Sequence, residues 1–205
     1  MIDYNEKQTL FKIQNTVIEM LEDRNYNIDN KYKITFNEFN YYLDKNNIDI
    51  FATGNENNIY VYFYNDNKNF GKNEFKNTVS KIREEIDNNV NIIIIIKEKE
   101  NSSVKKEIML PIYKNVEIFT YKQLTFNITK HDIVPKHILL KNNNIDKNEE
   151  IENIINMYST PLSKFPKINI DDPISKYFGA KQGDLFKIYR KSYSVGESIA
   201  YRLVK

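Results

Sequence analysis

Apolar residues recur every three or four positions near the start of the chain: Leu10, Ile13, Val17, Met20 and Leu21, with Phe11 and Ile18 widening the stripe. This spacing predicts an amphipathic helix from about Glu6 to Arg24. Thr35-Phe36-Asn37-Glu38 has the spacing of a capping box, so a second helix should follow with Phe36, Phe39 and Leu43 facing inward. The period then shortens to two. Ile48, Ile50 and Ala52 alternate with Asp49 and Phe51, Gly54 to Asn58 supplies a polar turn, and Ile59 to Tyr64 alternates aliphatic and aromatic side chains. Phe75, Val79, Ile82 and Ile86 return to helical spacing and predict a surface helix over Glu74 to Asp87. Ile92 to Ile96 is apolar on both faces and β-branched throughout, as a central strand covered on both sides must be. A short helix should begin at Ser102 or Ser103, and Val116 to Thr120 reads as a further strand. Strands interleaved with helices predict an α/β sheet up to about residue 125.

The rest of the chain has a different texture. Asn127 to Leu140 reads as a connection in which Pro135 limits helix continuation. Glu149 to Tyr158 carries Ile151, Ile154 and Ile155 at helical spacing, and Pro161 and Pro166 bracket a loop. Asp172 is placed to cap a helix whose first residue is Pro173. Gly179 can end that helix, Gly183 can make the next turn, and two strands, Leu185 to Arg190 and Ser198 to Val204, close the chain. No internal repeat is present. The expected organisation is a first domain over 1–130, a linker over 131–148 and a small α+β domain over 149–205.

Composition narrows the function classes. The 205 residues suffice for one domain or two small ones. The formal charge of +2 divides into −1 before His131 and +3 from it onward, so neither half has the bias of a free-standing nucleic-acid binder. With no cysteine there is no disulfide, zinc ribbon or thiol catalysis. The longest apolar run, Ile92 to Ile96, is too short to span a membrane, and no signal-peptide pattern opens the chain, so a soluble intracellular protein is expected. Heavy use of Asn, Lys and Ile, including the cluster Asn142-Asn143-Asn144, fits an AT-rich genome. His131 and His137 are six apart with Pro135 between them and no acidic or cysteine set to complete a metal site. No metal, cofactor or catalytic residue is expected.

The last segment is the most specific. Asp172-Pro173-Ile174-Ser175-Lys176-Tyr177-Phe178-Gly179 leads through Lys181-Gln182-Gly183-Asp184, Lys187-Ile188 and Arg190-Lys191-Ser192 to Tyr201-Arg202-Leu203-Val204. This resembles the C-terminal domain of the fifth subunit of eukaryotic nuclear RNA polymerases and the short archaeal polymerase subunit that corresponds to it. Asn127-Ile128-Thr129, His131, Ile133 in a leucine-like place, Val134-Pro135 and His137 resemble the family's linker, and Phe11-Lys12-Ile13, Thr16, Asp23-Arg24 and Tyr26 its opening helix. One departure is the turn: the family usually reads E-T-[AS]-G where this chain has Tyr193-Ser194-Val195-Gly196.

The resemblance implies an N-terminal α/β jaw with a restriction-endonuclease-like sheet, and a small C-terminal α+β assembly domain. It implies docking of that domain on the largest polymerase subunit, with other polymerase subunits nearby and no membrane. The expected signature residues are Asp172, Pro173, Tyr177, Gly179, Gly183, Lys187, Arg190, Gly196, Tyr201 and Arg202. Lys187, Arg190 and Arg202 are candidates for ion pairs across the interface, or simply solvated strand residues. Asp172, Pro173, Gly179 and Gly183 are read as fold determinants. Asn101-Ser102-Ser103-Val104 lies where the family's jaw has a T-P-S-A motif implicated in touching downstream DNA. Lys97, Lys99, Ser102, Ser103, Lys105 and Lys106 are therefore candidates for a weak contact with downstream duplex DNA, against which Glu98, Glu100 and Glu107 act.

Two other readings remain open at this point. A restriction-type nuclease would need an Asp and an acidic-x-Lys pair for Mg²⁺, and Asp49 with Asp66-Asn67-Lys68 offers those types. A free-standing transcription regulator would need a recognition helix, and no such pattern is present. The expected function is a non-catalytic subunit of a DNA-directed RNA polymerase, nuclear if cellular, or in the virion and at the host-cell transcription site if encoded by a large DNA virus.

Overall fold

Ile92 through Ile96 are each at most 1% exposed, which is possible only for a strand with helices on both faces. The computed structural model describes residues 3–45, 48–55, 57–65, 70–141, 149–192 and 196–205. They fall into two units, Met1–Phe126 and Asn127–Lys205. The isoleucine strand, β4 (Asn91–Ile96), is at the heart of the first.

That unit holds a five-stranded sheet of order β1 (Asn27–Ile28), β2 (Ile50–Thr53), β3 (Ile59–Phe63), β4 and β5 (Val116–Thr120). The first three strands pair antiparallel, and β3, β4 and β5 run parallel. Parallel neighbours need crossovers, here the helices α3 (Lys72–Glu85) and α4 (Ser102–Ile108). Phe75, Val79 and Ile82 of α3 and Val104 of α4 form one core with Ile92, Ile94, Ile96, Val116 and Ile118. The opposite face takes α1 (Tyr4–Asp23). Glu117 is in register with Ile93, so it shares that face. Arg24, at the end of α1, reaches it with two hydrogen bonds of 2.8 and 3.0 Å. Its side chain is 5% exposed. Burying each isoleucine contributes about 1.5–3 kcal/mol, so this strand is a major source of the unit's cohesion.

Short helices complete the unit. α2 (Phe36–Asp44) begins with the expected capping box, in which the Thr35 backbone N–H donates to Glu38 at 2.8 Å. α5 (Tyr121–Leu124) follows β5 directly. Two expectations need correcting. The cap of α4 is Asn101, whose Oδ1 accepts from the Val104 N–H at 2.9 Å, while Ser103 donates its hydroxyl to that same oxygen. Asn is as good a cap as Ser, so the cap lies just before the two serines while the helix begins at Ser102 as expected. Ile86 is exposed because α3 stops at Glu85 and Ile86 is only its cap.

The second unit holds a four-stranded sheet of order β6 (Lys136–Leu140), β8 (Leu185–Ser192), β9 (Gly196–Val204) and β7 (Lys167–Ile168). The two expected closing strands are thus only its middle. Residues 136–140, expected within a linker over 131–148, form an antiparallel strand against β8. Lys-His-Ile-Leu-Leu has no alternation to announce a strand, and its pairing is supplied by a partner about 50 residues away. Residues 127–141 accordingly belong to the second unit. α6 (Glu149–Tyr158) covers one face through Ile151 and Ile154 packed on Leu140, Phe165 and Leu185. α7 (Pro173–Tyr177) covers the other, where Ile174 meets Phe186, Ile188 and Val204. Asp66-Asn67-Lys68, Asn142-Asn143-Asn144 and the turn Tyr193-Ser194-Val195 lie outside the described residues.

Gly54 offers a direct test of the first unit. A Cβ there would sit 2.5 Å from the Asn57 carbonyl oxygen and 2.7 Å from the Tyr26 ring. Gly54→Ala should destabilise the protein by about 1–3 kcal/mol in urea denaturation, because a backbone carbonyl must move. An unchanged midpoint would show that the β2–β3 turn is looser than described.

Candidate functional site

The chemistry-bearing residues of the second unit are sorted by strand geometry. Cross-strand partners share a face. Lys187 is in register with Tyr201, on the α6 side, and its ammonium donates to Glu150 at 2.7 Å. That bond holds the lysine above its usual pKa. Tyr201 packs edge-on against Tyr158 and Phe165. Arg190 and Arg202 lie on the α7 side, with His137, because their register partners Ser198, Phe186 and Ile188 all point that way. Among the described residues neither arginine has an ion pair. Burial holds the His137 imidazole below its usual range, and Arg202 and Arg190 push it the same way against Asp172. The three expected interface cations therefore do not form one cluster: Lys187 is already paired, and the two arginines face the other side.

The remaining signature residues build the fold. Asp172 caps α7 by accepting from the Ile174 N–H at 2.9 Å, with Pro173 at the first helical position. Tyr177 is buried against Phe178. Gly179, Gly183 and Gly196 have φ of 61°, 95° and 79°. At Gly179 the left-handed conformation lets Ala180 N–H turn back to the Ser175 carbonyl at 2.9 Å, which closes the helix.

In the first unit the basic segment is only partly free. Lys97 bonds Glu6 at 2.7 Å, and Lys105 lies 3.8 Å from Glu100. Glu107 is instead drawn inward and held by Lys72 at 2.8 Å and Lys76 at 3.0 Å, bonds that lower its pKa. It opposes the basic segment less than its sequence position implies. Lys99 and Lys106 have no ion pair among the described residues. Ser102 and Ser103 are exposed in the first turn of α4, but the Asn101 cap already takes one of its free N–H groups.

The nuclease reading finds no site among the described residues. Asp49 spends both oxygens on structure, accepting from Tyr60 Oη and from the Phe63 N–H at 2.9 Å each. Burial raises its pKa despite those bonds. The other half of the pair, Asp66, lies outside the described residues. Nor do the histidines make a metal site: His131 Nδ1 accepts from the Ile133 N–H at 3.3 Å, and His137 Nδ1 lies 2.6 Å from the Pro135 carbonyl oxygen. Among the described residues no cluster of three metal-ligating side chains occurs, and no helix is long and apolar enough to cross a membrane.

Two exposed apolar features lie outside the family signature residues. Met109, Leu110 and Ile112 form an exposed apolar strip after α4, with Met109 80% exposed. Their succession in a loop was the available signal. Ile199 is 45% exposed on β9, where alternation placed it in a strand but could not say whether that strand had a neighbour.

Comparison with known proteins covers both units. Residues 4–82 match the model of the RNA polymerase Rpb5 N-terminal domain, and residues 126–204 that of the RNA polymerase Rpb5 C-terminal domain. The chain is 30% identical over 205 residues to the DNA-directed RNA polymerases I, II, and III subunit rpabc1 of Dictyostelium discoideum, covering 95% of this chain and 96% of that protein. It is 28% identical over 217 residues to subunit RPABC1 of Caenorhabditis elegans, covering 98% of each. The DNA-directed RNA polymerase subunit Rpo5 of Methanocaldococcus jannaschii is 44% identical over 77 residues, which are 38% of this chain and 91% of that protein.

Asp49 generates a prediction with a sign. Its raised pKa means that the folded chain binds the proton more tightly than the unfolded chain, so its contribution to stability grows as pH falls toward the unfolded value of 3.8. Asp49→Asn keeps a hydrogen-bonding side chain and removes this titration. The variant should gain on the wild type at about pH 7 relative to about pH 4 in urea denaturation, whereas Asp49→Ala should cost about 1–3 kcal/mol at both. An Asp49→Asn difference that does not change with pH would contradict the assignment.

Proposed function

This chain belongs to the RNA polymerase Rpb5 family, and from that premise we propose that it docks on the largest polymerase subunit through its second unit and holds its first unit near downstream DNA. It is a non-catalytic subunit of a DNA-directed RNA polymerase, and other polymerase subunits are its partners.

One observation carries the docking. The archaeal relatives are named as polymerase subunits, yet they correspond to only about two fifths of this chain: 81 residues of the Archaeoglobus fulgidus Rpo5, 43% identical, make up 99% of that protein and 40% of this one. A stretch the size of the second unit is therefore a whole subunit elsewhere. Within that unit, Arg190 and Arg202, on the α7 face, have no ion pair among the described residues and are available to a partner. Fully desolvated arginine–carboxylate pairs are among the contacts that dominate interfaces.

The first unit contributes a weaker contact. Exposed ion pairs such as Lys97–Glu6 contribute at most about 1 kcal/mol, so a phosphate can draw the lysine away. With Lys99, Lys105 and Lys106 this gives a sequence-independent attraction to duplex DNA. Its strength is useful only where the polymerase already holds the duplex. The eukaryotic relatives serve polymerases I, II and III by name, which favours a nuclear place for a cellular form. A virus-encoded form would work in the virion and at the host-cell transcription site.

Affinity purification of the tagged chain from its host should recover the catalytic polymerase subunits at fixed stoichiometry. Recovery of the chain alone would contradict the docking. Replacing Lys97, Lys99, Lys105 and Lys106 together with Gln should leave that recovery intact. The same variant should lower cross-linking of the first unit to downstream DNA several-fold at low salt. Unchanged cross-linking would remove the basic segment from the DNA contact.

A further inference from the structure

The β9 strand is nine residues long, and among the described residues only its last two pair with a strand on the side away from β8. β7 pairs with Leu203 and Val204 alone. The ladder stops there for a local reason. Leu203 N–H donates to the Pro166 carbonyl at 2.8 Å and Lys205 N–H to the Ile168 carbonyl at 2.9 Å, so the odd-numbered residues of β9 send their backbone groups outward, away from β8. The next group in line would need an N–H from residue 166, and proline has none. Val204 N–H, by contrast, points inward to the Asp184 carbonyl at 2.8 Å. By the same alternation, the N–H and C=O of Glu197 and Ile199 face outward with no strand beside them among the described residues.

We propose that this outer edge of β9, centred on Glu197 and Ile199, receives an extended segment of another polymerase subunit as an added β-strand. The proposal rests on the docking reading above and specifies how that docking is made. Three observations favour this occupant. A long, flat edge with open backbone groups is a template for pairing, and proteins that leave one uncovered usually guard it with lysine, proline or a bulge. β8 beyond its β6 partner carries Arg190 and Lys191, whereas the β9 edge carries Glu197, Ser198, Ile199 and Ala200, with one charge, no lysine and no proline. The two faces beside the edge also differ. Ile199 and Tyr201 present an apolar surface on the α6 side, with Glu197 at its far end, and Arg202, with Arg190, presents positive charge on the α7 side. A strand laid against β9 would place alternate side chains on these faces. The segment that fits therefore alternates apolar and acidic residues, with the acidic ones on the arginine face and a basic or uncharged polar residue beside Glu197. A second copy of this chain would bring the same arginines together and is disfavoured by charge.

The experiment is residue-resolved hydrogen–deuterium exchange on the full chain, free and within purified polymerase. Amides of Ser198 and Ala200, directed toward β8, should exchange slowly in both. Amides of Glu197 and Ile199 should exchange rapidly in the free chain and at least a hundredfold more slowly in the complex. Equal exchange of Glu197 and Ile199 in the two states, in a polymerase that does contain the chain, overturns strand addition and leaves the docking reading standing. Failure of the chain to enter polymerase at all sinks the docking reading itself. Slow exchange of both amides in the free chain, together with a dimeric mass, assigns the edge to a second copy and also overturns the proposal. Ile199→Pro removes an outward donor that β8 does not use. It should lower incorporation at least tenfold with an unchanged circular dichroism spectrum, while Ile199→Thr retains incorporation; incorporation unaffected by the proline would contradict the assignment.

Discussion

The antiparallel pairing of β8 with β9 is the constraint on which the second unit depends. Leu185 and Phe186 are adjacent and both fully buried, so β8 must be covered on its two faces at once. α6 and the Phe165 loop cover the first face, and α7 covers the second. Fewer than about 80 residues bury little surface, and a domain of this size is marginal on its own. Each device that fixes the hairpin therefore matters: the Asp172 cap, the left-handed Gly179, and Asp184, which is buried but accepts from the Lys181 N–H at 2.8 Å. The same economy leaves the far half of the hairpin uncovered within its own unit. A small domain with an unfinished edge is suited to being completed by a larger body.

The first unit has the opposite character. Its sheet is saturated by isoleucine, and its polar groups are spent internally: Arg24 on Glu117, Lys72 and Lys76 on Glu107, Asp49 on Tyr60 and Phe63. Among the described residues, a short basic segment and the apolar strip after α4 are exposed on this unit. The family accordingly includes chains that correspond to the second unit in length and chains that span both.

Much of the architecture was legible because each element had one dominant signal. Ile92 to Ile96 had no alternative to a doubly covered strand, Thr35 and Glu38 announced their helix, and Asp172-Pro173 with Gly179 bounded another. The misses share a cause. β6 is a strand only because β8 lies beside it, and the two-residue β7 only because Leu203 and Lys205 donate to Pro166 and Ile168. Long-range pairing overrides local preference. For the candidate site the limit was different. Sequence named Lys187, Arg190 and Arg202 as equals, and only the register separates a lysine already bonded to Glu150 from two arginines on the opposite face. Asn101, Ser102 and Ser103 are all competent caps, so sequence alone does not single out Asn101 over the two serines.

The most direct test of the account is an electron cryomicroscopy structure of the polymerase assembled with this chain. The account predicts that the second unit is buried against the largest subunit, with the β8–β9 hairpin inside the contact and the first unit reaching toward the DNA entry side. A polymerase in which the second unit's sheet faces solvent, and the chain is held by its first unit alone, would contradict it.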